Sequence, residues 1–212
     1  MESVEEYVKE KWHLLTAFSA KEELKTHLWN DLIYRYTEAH RYYHNLNHVG
    51  YIFSLCDKYF DQIKNPVITG FAILYHDVVY DTYRNDNEEQ SAALAEAHLL
   101  RLRLNQSIIN QIKDFILATK DHQIRDHITH KDDLALFLDF DTAILAEKPD
   151  VYNLYREKIR KEYAKYPNDI YQEGRKQALS KMLDNSLFHT TLFKGLMEDN
   201  AVRNIRGEIG EM

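Results

Sequence analysis

The sequence predicts an all-α protein, a single-domain helical bundle, on three observations. Only 6 glycines and 3 prolines stand among 212 residues, too few turn formers for a fold of many short strands. Apolar residues recur instead at the three- and four-residue spacing of a helix face. Connections are short and punctuated by Asn65-Pro66, Lys148-Pro149 and Pro167-Asn168, with no Ser/Gly-rich linker, low-complexity tract or internal repeat.

Ten helices are expected, with ends good to about two to four residues. The first two fall near 3–18 and 21–39. The third, near 46–61, is a single stripe of Val49, Ile52, Phe53, Cys56 and Phe60. The fourth, near 66–80, opens at Asn65-Pro66 and is the apolar run Val67 to Tyr80. Leu94, Ala97, His98 and Arg101 define a helix near 87–103. Ile108, Ile109, Ile112, Phe115, Ile116 and Thr119 give another near 106–120. The run Leu134 to Leu145 fills a helix near 132–147. Helices near 150–165, 169–184 and 188–208 complete the chain.

Bulk properties exclude several classes. A formal net charge of −7 with no Lys/Arg run leaves no basic footprint for nucleic acid, so none is expected as a partner. The single cysteine, Cys56, excludes a disulfide framework and a thiolate zinc site. The start Met1-Glu-Ser-Val-Glu-Glu is acidic rather than signal-like, and no apolar stretch reaches the roughly 20 residues of a spanning helix. A soluble, cytoplasmic protein without membrane association is expected. Nothing in the sequence fixes the oligomeric state.

Chemistry-bearing residues interrupt the apolar runs. His76-Asp77 lies inside one, Asp139 and Asp141 inside another, and His44 and His48 stand at the start of the third helix. A buried carboxylate without a partner is costly, and a metal ion can hold imidazoles and carboxylates together inside a fold. The order His, His-Asp, Asp therefore suggests a divalent-metal hydrolase. A His-Asp pair alone is common by chance, and a hydrogen-bonded buried pair is its ordinary alternative. His44 and His48, four apart, share a helix face if Asn45 is the N-cap. Asp139 and Asp141 differ by about 200° around a helix, so only one can face an ion.

Jointly, these stretches resemble the HD-domain superfamily of metal-dependent phosphohydrolases, and within it a bacterial group of predicted HD phosphohydrolases. The matching segments are Arg41-Tyr-Tyr-His-Asn-Leu-Asn-His48, Tyr75-His-Asp-Val-Val-Tyr-Asp81, Asn85-Asp-Asn-Glu-Glu-Gln-Ser-Ala92, Thr119-Lys-Asp-His122 and Phe137-Leu-Asp-Phe-Asp141. Tyr155 to Tyr163, Gly174-Arg175 and Glu198 to Asn204 continue the match. The resemblance implies one domain over 1–212, with a metal-site core at about 40–145 and the helices of 150–208 packed on it. It implies hydrolysis of a phosphate ester, often of a nucleotide. Its metal ligands would be His48, His76, Asp77 and Asp141, with Asp139 as the fallback. The Tyr-His-Asn-x-x-His stretch is also similar to that of cyclic-nucleotide phosphodiesterases, which would make His44 the acid that protonates the leaving oxygen.

Further roles are softer. Glu88 could hold water at the metal, or simply be an acid in a helix first turn. His122, Arg160, Arg175 and Arg203 could bind the substrate phosphate, against an ordinary surface role for each. Mixed nitrogen and oxygen ligands suit Mn, Fe, Co, Ni or Zn better than Mg alone. A rival motif, Ala135-Leu-Phe-Leu-Asp-Phe-Asp-Thr142, resembles the Asp-x-Asp-x-Thr opening of haloacid-dehalogenase-type phosphatases. That chemistry wants a β-strand, and this run is Ala/Leu/Phe-rich in a helical chain. A rival of another class is a catalytically silent helical sensor that binds a metal or nucleotide without turning it over.

Overall fold

The computed structural model describes residues 3–212. Ten α-helices run through it, with no strand among the described residues: α1 (Val4–Leu15), α2 (Glu22–Tyr36), α3 (Leu46–Lys58), α4 (Pro66–Tyr75), α5 (Asn87–Arg101), α6 (Gln106–Ala118), α7 (Lys131–Thr142), α8 (Pro149–Glu162), α9 (Asn168–Met182) and α10 (Thr191–Glu211). The all-α class holds. The chain divides into two compact units within α7, between Phe137 and Leu138.

The first unit is built around α4. This helix is apolar on every side, with each residue from Ile68 to Tyr75 buried, as a helix surrounded by protein must be. It packs against α1, α3, α5 and α6. The buried Trp12 of α1 meets Phe71 edge-on at 6.5 Å and Trp29 of α2 at 6.5 Å, a geometry that suits the ring quadrupoles. From α2 the Tyr36 hydroxyl donates to the Leu74 carbonyl at 3.0 Å. Pro66 occupies the first turn of α4, where its missing N–H is not needed. Asp133 of α7, 1% exposed, accepts from the backbone N–H of Lys64 (2.9 Å) and Asn65 (2.7 Å). One buried carboxylate thus anchors the entry to the central helix.

Local chemistry fixes the other ends. Ser3 and Glu6 form a reciprocal capping box on α1. Asn45 and Asn105 cap α3 and α6 by accepting from the N–H two residues on. After α5, Arg103 takes the left-handed conformation at φ 67°. The N–H of Leu104 then reaches the Leu99 carbonyl, and that of Arg103 the Leu100 carbonyl, the Schellman arrangement that ends a helix.

The expectation that α4 runs to about residue 80 is corrected: it stops at Tyr75, with His76 as its C-cap. The carbonyls of Asp77 and Val78 are taken by the Arg41 guanidinium, and the N–H of Val79 by Ser91 Oγ. Partners far away in sequence capture the backbone, which a periodicity of apolar side chains cannot register. His76-Asp77 therefore sits at the end of a buried helix rather than in its middle.

In the second unit, α10 packs on α9 and on the short 3-10 turn Ala143–Ala146 that follows α7. Phe193 meets Phe140 at 5.5 Å and Phe188 at 6.1 Å. The Asn204 amide donates to the carbonyls of Leu145 (2.9 Å) and Glu147 (2.8 Å). Glu208, 3% exposed, accepts from Tyr152 Oη at 2.5 Å and from Arg175 Nε at 2.9 Å, joining α8, α9 and α10 through one satisfied buried acid.

Candidate metal centre

Two segments of the first unit deliver the donors. Because Asn45 caps α3, His48 enters in its first turn and His44 lies just before it, as its cap position predicted. His76 and Asp77 leave the end of α4. His48 Nε2 and His76 Nε2 stand 3.2 Å apart. Asp77 Oδ2 lies 3.1 Å from His76 Nε2 and 3.5 Å from His48 Nε2. Three donor atoms from two segments therefore form a nearly equilateral triangle.

That triangle fits a transition-metal ion. Donors bound at about 2.0–2.2 Å in tetrahedral or octahedral geometry lie roughly 3.0–3.5 Å from one another. The tautomer also fits. His76 Nδ1 is 3.0 Å from the Ile73 carbonyl, which can only accept, so Nδ1 carries the proton and Nε2 presents its lone pair. Both imidazoles are buried, and the Asp77 side chain is 20% exposed. Burial pushes the Asp77 carboxyl up. When the imidazoles are protonated rather than bound to an ion, the positive charge of His76, with its hydrogen bond, and of His44 and His48 outweighs that effect and holds it well below the usual carboxylate range.

His48, His76 and Asp141 are a group that could hold a metal ion, offering one ligand atom each. Asp141 lies on α7 one turn beyond Phe137, and the Phe137 ring meets His76 edge-on at 5.7 Å. Residues four apart share a helix face. Asp139, on the opposite face, is wholly buried and engaged elsewhere. It accepts from the N–H of His189 (2.6 Å) and Thr190 (2.9 Å) and from Thr190 Oγ1 (2.6 Å), just where Thr190 caps α10. Burial pushes this carboxyl up in spite of those donors. The dehalogenase-like motif falls on the helix α7, not on the strand that its chemistry needs.

His44 borders the triangle without belonging to it. Its ring stacks on Tyr80 (4.2 Å, 26°) and meets His48 at 5.8 Å, while Tyr43 lies against His48 at 4.8 Å. Glu88 stands in the first turn of α5 with its side chain 26% exposed. Burial pushes its carboxyl up, the Asp77 charge adds to this, and Lys120, 4.0 Å away, opposes it. Lys120 also binds Glu89 Oε1 and the Asn85 carbonyl at 2.6 Å each. His122 follows in a left-handed conformation, φ 52°.

The three arginines expected at a phosphate lie in the second unit with partners there. Arg175 binds the buried Glu208. Arg160 donates to the carbonyls of Tyr163 and Tyr166 at the end of α8 and faces the Tyr171 ring at 4.6 Å. Arg203 donates to Asn200 Oδ1. Two structurally important residues carried no assigned role in the sequence reading. Asp133 stands in the first turn of α7, and Arg41 opens the Arg-Tyr-Tyr-His-Asn stretch.

Compared with protein-family models, curated proteins and solved structures, the chain matches none. No helix among the described residues is long and apolar enough to cross a membrane.

Proposed function

We propose that the chain is a cytoplasmic, metal-dependent phosphohydrolase of the HD-domain type, cleaving a phosphate ester of a nucleotide or a nucleotide-like metabolite. The convergence of His48 Nε2, His76 Nε2 and Asp77 Oδ2 within 3.1–3.5 Å carries this reading. With Asp141 these residues would hold one or two divalent ions, of Mn, Fe, Co, Ni or Zn character given the mixed donors. Such an ion, when bound, would polarise a phosphoryl oxygen and lower the pKa of water so that hydroxide is available near neutral pH.

The chain's own residues supply the rest. Asp77 and Asp141 contribute negative charge that keeps a cation in place among neutral imidazoles. The Tyr80 stack orients His44, which donates a proton to the leaving oxygen. Glu88, whose carboxyl burial pushes up, orients the attacking water or accepts a proton from it. Purified protein reconstituted separately with Mn, Co, Ni and Zn, then assayed against a nucleotide panel and a generic phosphate ester, tests this. Turnover that disappears in His76→Ala supports the reading. Tight metal binding without turnover of any ester would point instead to a silent sensor.

A further inference from the structure

We propose that Arg41 is a positioning residue that brackets the two donor segments and sets the spacing between them. Its side chain is 1% exposed, unusual for a cation in a loop. Nη1 donates to the carbonyls of His44 (3.0 Å) and Asp77 (2.6 Å), Nη2 to that of Val78 (3.0 Å), and Nε to Glu38 Oε2 (3.0 Å). The guanidinium lies 5.3 Å from the Tyr36 ring and 5.7 Å from the Tyr80 ring. The Arg41 carbonyl is within reach of Asn45 Nδ2 at 3.4 Å, and Asn45 caps the helix that carries His48.

One rigid planar fork therefore grips the carbonyl of the candidate acid and the carbonyls of a candidate ligand and its neighbour. Both points lie outside the helices, because α4 has ended and α3 has not begun. A guanidinium offers five N–H donors in fixed geometry, and an ammonium offers a point charge on a flexible stem. Lysine can keep the charge here but cannot span the three carbonyls.

Amide hydrogen exchange tests the bracket without metal, and manganese affinity tests its consequence. Only the second readout rests on the metal-centre reading. In wild-type protein, residues 42–49 and 77–80 should open with one common denaturant dependence. In Arg41→Lys and Arg41→Gln both segments should lose protection together, by about tenfold or more, while residues 109–118 keep theirs. Millimolar guanidinium added to Arg41→Ala should restore protection to both. Manganese should bind the lysine variant at least about tenfold more weakly at unchanged helix content. Independent opening in the wild type, loosening of one segment alone, or unchanged manganese affinity in a folded lysine variant would each overturn the bracket. A wild type that binds none of manganese, cobalt, nickel and zinc overturns the metal reading instead and leaves hydrogen exchange to decide on Arg41.

Discussion

At the residue scale, two aspartates separated by one position have opposite surroundings, and their variants should part accordingly. Asp139 accepts three hydrogen bonds at the start of α10. Asp139→Asn turns an amide N–H toward donors and should cost about 2–3 kcal/mol of stability, seen as a lower urea midpoint, with metal content unchanged. Asp141→Asn should abolish metal binding. Equal metal loss in both folded variants would contradict the helix phase. His44 stands one helical turn before His48 and stacks on Tyr80, so His44→Ala should keep its metal and lose turnover by about 10²–10⁴-fold if it is the acid. An alkyl leaving group should suffer far more than nitrophenolate. Metal content and rate, measured on one sample, separate acid from ligand. The histidines and the aspartate pair stand out in the sequence because apolar runs make polar interruptions conspicuous, whereas Asp141 is preferred over Asp139 only through the family resemblance. Arg41 stayed hidden, since its burial depends on carbonyls 36 and 37 positions away.

At the element scale, the central helix depends on a carboxylate from another helix. Asp133 holds the N–H groups of Lys64 and Asn65. Asp133→Ala strands both donors in a buried setting and should destabilise the first unit by about 2–4 kcal/mol. Chemical denaturation gives the size, and loss of protection at Ile68–Tyr75 gives the place. An unchanged midpoint would show that water replaces the carboxylate. Helix existence and order were readable because ten amphipathic or wholly apolar segments carry a strong 3.6-residue signal and the breaks carry Pro and Asn. The ends were less readable. Val78 to Tyr80 continue the apolar pattern of α4, but their backbone is bound by Arg41 and Ser91. The division inside α7 had no linker or composition shift to announce it.

At the scale of the whole molecule, stability should answer to both pH and metal. His98 is buried between Tyr75 Oη (3.2 Å from Nδ1) and Asp31 Oδ2 (3.5 Å from Nε2). Burial pushes its imidazole down to about 4; Asp31 opposes this, and the charges of Arg101, Arg35 and His27 add to it. The unfolded chain therefore binds the proton first. This contribution is complete above the ordinary histidine pKa near 6.5, falls as pH drops toward 4, and levels off below, for a total of up to about 3 kcal/mol. His98→Gln should flatten that part of the wild-type stability profile, and parallel profiles would contradict the assignment. A bound ion should raise the melting temperature, because it favours only the folded chain, and chelation should reverse the gain. Convergence of imidazole nitrogens and carboxylate oxygens on one ion underlies the proposed chemistry. X-ray absorption at the metal edge of zinc- or manganese-loaded protein addresses it most directly. The spectrum should show about two imidazole nitrogens with oxygen ligands at roughly 2.0–2.2 Å, lost in His48→Ala and His76→Ala. A shell of oxygen alone, unchanged in either variant, would contradict it.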